Sequence, residues 1–137
     1  MTESASQNAP GTTGAASGGV RILLRLEGLT LFAGMTLVYW LWGGPWWLYA
    51  VLFLAPDLSF LGYLAGPKIG ASVYNAMHSS IVPMAMLTVG FGFAPPLVLS
   101  LALIWLAHIG FDRALGYGLK YWAGFGFTHL GRIGRRA

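Results

Sequence analysis

Three histidines and four carboxylates supply nearly all the acid–base and metal-ligand chemistry in this 137-residue chain, which contains no cysteine. His108 and Asp112 are four residues apart, so on a helix they share one face. His78 lies in a second apolar run with Tyr74 and Asn75 one turn before it, and Asp57 follows Pro56 in a third. Imidazole nitrogen and carboxylate oxygen suit zinc, iron or manganese, and a bound ion with an open position activates water for hydrolysis. The same polar cluster of Asp57, Tyr74, Asn75, His78, His108 and Asp112 also suits a hydrogen-bonded core that fixes helix packing, or a proton or ion relay. The hydrogen-bonded core is the first reading, with a metal-dependent hydrolase and a relay as its alternatives, because a His and an Asp one turn apart is a common pair and no HExxH motif is present. No catalytic residue is assigned. Ser72, Ser79, Ser80 and Ser100 lack a GxSxG setting, and the absence of cysteine removes thiolate chemistry.

The elements that must position these groups are membrane helices. Of the residues, 56% are hydrophobic and 9% charged, where a soluble domain carries roughly a quarter charged. The apolar runs are long enough to span lipid. The expected fold is an all-α polytopic bundle of four transmembrane helices over about 21–42, 46–64, 69–89 and 95–113, within a membrane domain of 20–131. Residues 1–19 read as a disordered polar tail, and 114–137 as a basic aromatic tail lying at the interface. Gly43-Gly44-Pro45, with Trp40, Trp42, Trp46 and Trp47 around it, reads as a tight turn inside an aromatic belt. Pro56 predicts a kink in the second span. Gly62, Gly66 and Gly70 flank Pro67 and read as turn chemistry rather than close helix packing.

Four spans put every Lys and Arg on one side, together with both termini and the Gly66–Lys68 turn. By the positive-inside rule that side faces the cytoplasm, which makes this a multi-pass inner-membrane protein. Arg21 and Arg25 are then expected at headgroups, Glu27 at the interface, and Arg113, Lys120 and Arg132 likewise interfacial, with His129 solvated. At ~1.5 Å per residue in a core about 30 Å thick, His78 lies about 15 Å and Asp57 about 12 Å from the basic edge, with His108 level with them and Asp112 a turn nearer that edge. Each isolated charge at the bilayer centre costs roughly 2.5–3.5 kcal/mol, so these groups are expected to converge. The bilayer is the expected partner, a homo-oligomer is compatible with the bundle, and no basic motif suggests nucleic acid. The sequence names no substrate.

The segments Ala55-Pro56-Asp57-Leu58-Ser59, Tyr74-Asn75 with His78, and above all His108-Ile109-Gly110-Phe111-Asp112-Arg113-Ala114-Leu115-Gly116-Tyr117-Gly118-Leu119-Lys120-Tyr121 resemble the domain of unknown function 4260, a group of small bacterial integral membrane proteins. That resemblance covers about Arg25 to Gly131 and implies a four-span membrane protein without an assigned activity. More loosely, a span-borne Asp followed by His and then His with Asp is similar to membrane-bound metal-dependent hydrolases of the bacterial inner membrane. Asn75 and His78 depart from the central motif those proteins carry.

Overall fold

The computed structural model describes residues 16–93, 95–120 and 127–132, without the side chains of Phe127 and Arg132. Five α-helices, α1 (Gly18–Trp42), α2 (Trp46–Phe53), α3 (Pro67–His78), α4 (Ile81–Gly92) and α5 (Pro96–Leu115), make up most of the bundle. A 3-10 helix (Ala55–Ala65) continues α2, and a two-stranded antiparallel hairpin, β1 (Phe127–Thr128) and β2 (Gly131–Arg132), follows α5. Gly18–Trp42, Trp46–Ala65 and Pro96–Leu115 are long and apolar enough to cross a membrane. The chain is therefore a helical membrane bundle, with two of its four expected spans interrupted.

Both interruptions have a proline behind them. Pro56 ends regular α-helix in the second span, which continues as a 3-10 helix in which residues three apart eclipse. Buried Pro56 and Ser59 therefore form one edge and Asp57, Phe60 and Tyr63 the next. The third span breaks at Ser79-Ser80, where Ser79 is extended (φ −81°, ψ 140°). Pro83, four residues on, offers no amide to the Ser79 carbonyl and would clash with it, so α3 cannot run on into α4. The uninterrupted 69–89 helix expected from hydropathy is thus two 12-residue helices.

Helix α5 is the axis of the bundle, burying ten residues from Leu99 to Gly110. Helix α1 crosses it at Gly28 and Gly110, two small residues that let backbones meet. A Cβ at Gly28 would fall 2.9 Å from the Gly110 carbonyl, and one at Gly110 would fall 2.6 Å from the Gly28 carbonyl. Gly70 and Gly62 do the same between α3 and the 3-10 helix. A Cβ at Gly70 would overlap the Tyr63 ring and one at Gly62 would lie 3.0 Å from Val73, so these positions serve close approach, and only Gly66 (φ +114°) serves the turn.

The basic end also departs from expectation. Residues 1–15 lie outside the described set, but Ala16 already donates its amide to the His129 carbonyl at 2.7 Å and the helix begins at Gly18. Arg21 and Arg25 do not simply project to headgroups. Nε of Arg21 bonds the Leu130 carbonyl, and Nε of Arg25 bonds Ala114 at 2.9 Å near the carbonyl-rich end of α5. Gly116, in the left-handed region (φ +94°), then turns the chain back. The described part of the tail is a folded cap, with Lys120 paired to Thr128 and with Lys120, Thr128 and Leu130 buried.

Candidate metal centre

Three elements bring four ligand-type side chains to one point. Asp57 stands in the first turn of the 3-10 helix because Pro56 resets the chain just before it. His78 is the last residue of α3, exposed to its neighbours by the Ser79 break. His108 and Asp112 lie one turn apart on the buried side of α5. Nε2 of His78 and Nε2 of His108 are 3.1 Å apart. Asp112 Oδ2 is 3.3 Å from the first and 3.2 Å from the second, while Asp57 Oδ1 is 3.5 and 3.3 Å away. All four atoms fall within 4.8 Å of one another.

Those separations have a chemical meaning. Ligands about 2.0–2.1 Å from a tetrahedral ion are ~3.3–3.4 Å from each other by simple geometry. Five of the six separations, the His–His and His–Asp ones at 3.1–3.5 Å, bracket that edge, and the sixth, between the two carboxylates, falls within 4.8 Å. Protons fit the same arrangement poorly. His78 Nδ1 lies 2.9 Å from the Tyr74 carbonyl, which can only accept, so Nδ1 carries the hydrogen and Nε2 of the neutral ring is a bare lone pair. That lone pair faces a second imidazole nitrogen and two carboxylates. Protonating both rings at Nε2 would set two N–H groups against each other at 3.1 Å. With one proton between the two Nε2 atoms, at least one carboxylate charge is left without a counter-charge in a membrane interior.

Aromatic rings wall the cluster. Tyr74 stacks on the His78 ring at 3.8 Å, and Phe53 meets His108 edge-on at 5.2 Å. His108 Nδ1 is buried and makes no hydrogen bond of ordinary geometry among the described residues. Exposure is uneven: the side chains of His78 and His108 are 4% and 2% exposed and Asp112 14%, against 40% for Asp57. Asp57 is the open edge of the cluster.

The remaining residues singled out in the sequence fall around the cluster. Tyr74 is in it through its ring. Asn75 is not: its side chain grips the backbone of Lys120, donating to the carbonyl at 2.7 Å and accepting from the amide at 2.6 Å. Lys120 is correspondingly buried rather than interfacial, its ammonium 4.7 Å from the centre of the Tyr74 ring, and burial pushes it down to about 8 while the Asp112 charge acts upward. Arg113 does not reach out to headgroups. It folds back with Nη2 at 3.5 Å from the His78 carbonyl, a group left without a helical partner where α3 stops. The Arg132 side chain lies outside the described residues. His129 is half-buried, its Nδ1 accepting the Leu119 amide at 2.8 Å. Burial and the Arg113 charge pull it below the ordinary imidazole value. Nothing in local sequence pattern marks the Asn75 to Lys120 clamp, since its partners are 45 residues apart and one of them is backbone.

Comparison with known proteins follows the same boundaries. The family model for the domain of unknown function DUF4260 matches residues 21–133, and the chain belongs to that family. No curated protein and no solved structure matches it.

Proposed function

We propose that this DUF4260 chain is a metal-centred membrane protein in which His78, His108, Asp57 and Asp112 hold one divalent ion, zinc, iron or manganese. The observation that carries the reading is the 3.1 Å approach of two imidazole Nε2 atoms between two carboxylates. One divalent cation would neutralise both carboxylates and give all four inward-facing atoms a single shared partner. Four protein ligands make a closed set, the kind that builds structure. The ion would tie the 3-10 helix and α3 to the axis helix α5.

A hydrolytic reading is favoured by one feature, the 40% exposure of Asp57. If Asp57 yields its place to water, the ion keeps three ligands and an open position, the form in which bound water becomes a nucleophile near neutral pH. We place the basic side in the cytoplasm of an inner membrane, with both termini there. Because the chain has no cysteine, Phe93→Cys, at an exposed position of the opposite loop, and Lys68→Cys, labelled with an impermeant maleimide, read that orientation directly. Elemental analysis of protein purified without chelator tests the site. One equivalent of metal per chain is expected in wild type and in Asn75→Ala, and a small fraction of that in His108→Ala and Asp112→Asn. Equal, sub-stoichiometric metal in all four removes the reading.

A further inference from the structure

A groove of about 400 Å³ lies away from the metal cluster, on the outside of the α1–α5 crossing. Leu26, Leu29, Phe32, Phe111 and Leu115 line it, and its single charged member is Arg25. Helical spacing makes it linear: from Ile22 to Phe32 is ten residues, ~15 Å, which is half of a hydrocarbon core about 30 Å thick. It is thus one leaflet deep, with its basic end at the membrane surface.

Arg25 lines that end and Arg21 stands one turn before it on α1. Each is fixed through Nε on a backbone carbonyl, Arg21 on Leu130 of the tail and Arg25 on Ala114 in the last turn of α5, so both planes are preset. Among the described residues neither is paired with a carboxylate. Glu27 faces a separate pocket with Arg113 and His129. Beside the pair the backbone is bare, since a Cβ at Gly116 would sit 3.2 Å from Arg21 Nη2. Fixed guanidinium forks favour phosphate over other anions. A contrasting groove at the other end of the bundle, lined by Val38, Trp42, Phe91 and Leu99 and about 200 Å³ in volume, contains no cation.

We propose that the α1–α5 groove is a site for one anionic phospholipid, its phosphate on Arg21 and Arg25 and one acyl chain along Leu26, Leu29 and Phe32. The cation-free groove takes annular lipid without headgroup preference. The site serves the bundle by filling the outer side of the Gly28–Gly110 crossing and by neutralising two cations that also pin the tail and the end of α5.

The test is native mass spectrometry of full-length protein released from vesicles of equal phosphatidylglycerol and phosphatidylcholine. Wild type is expected to keep one phosphatidylglycerol per chain in about ten-fold or greater preference, the scale that two surface cations supply. Arg21→Gln/Arg25→Gln is expected to lose the preference. Because those arginines also hold the tail and the end of α5, Leu29→Trp provides the second arm: it fills the groove, leaves both cations in place, and is expected to release the lipid. Equal retention of both lipids by wild type overturns the proposal, as does retention by Leu29→Trp. So does efficient crosslinking of Leu29→Cys between two chains, which would assign the groove to a second copy.

Discussion

The two ends of this bundle are held by different physics. Around the Gly43-Gly44-Pro45 turn the packing is made of rings and aliphatic chains. Tyr39 lies 5.4 Å from Trp46 and 5.3 Å from Tyr49, over a core of Leu103 and Ile104. Its hydroxyl donates to the Pro45 carbonyl at 2.6 Å. Around the Gly66–Pro67 turn and the tail, the same helices are joined by directional polar contacts: the His/Asp cluster, the Asn75 grip on Lys120, Arg21 on the Leu130 carbonyl and Arg25 on that of Ala114. Dispersion is spread over many weak contacts, whereas a charge out of water depends on the few partners that compensate it. The end with the polar contacts should therefore be the end that fails when a single atom is removed.

The largest effect is expected at the cluster. His108→Ala removes a buried imidazole from the partly buried Asp112 and the more open Asp57, a change expected to cost up to about 3 kcal/mol, the lower end of what breaking a buried pair costs. Thermal unfolding in detergent should show it, and a chelator should lower the wild-type midpoint while leaving that of His108→Ala unmoved. Asn75→Ala should come next, at about 2 kcal/mol for two lost hydrogen bonds to backbone. It should speed protease cleavage in the tail while leaving metal content intact, which separates tail docking from metal binding. At the opposite end Tyr39→Phe should cost about 1 kcal/mol with no change in metal or tail protection. An equal loss from Tyr39→Phe and His108→Ala would erase the contrast between the two ends.

The last effect is confined to alkaline pH. Folding lowers the Lys120 value from 10.5 to about 8, because the buried site disfavours its charge. The unfolded chain then binds more protons between those values, so this residue makes stability rise as pH climbs from about 8 to about 10.5. Lys120→Met should flatten that part of the melting-temperature profile. A profile unchanged by the substitution would show that Lys120 titrates alike in both states.

The helical bundle was legible from hydropathy because lipid leaves few alternatives to helices. Convergence of Asp57, His78, His108 and Asp112 was legible from depth counting, since each lies a known number of residues from a turn. What the pattern hid is long-range and backbone-directed. Arg113 looked like a headgroup anchor because it is turned about 100° from Asp112 along the helix, but the Ser79 break supplies a carbonyl that only the folded chain places beside it. Lys120 looked interfacial for its neighbouring aromatics, and its burial follows from Asn75, 45 residues away. The glycines at 28 and 110 carried no local signal either, because their meaning is a crossing between α1 and α5.

The most direct measurement is X-ray absorption at the edge of whichever metal copurifies with the membrane-extracted protein. Two imidazole nitrogens and two carboxylate oxygens at about 2.0–2.1 Å are predicted, falling to one imidazole in His78→Ala. A shell of water oxygens without imidazole, or the same spectrum in wild type and His78→Ala, would place the ion elsewhere and contradict the account.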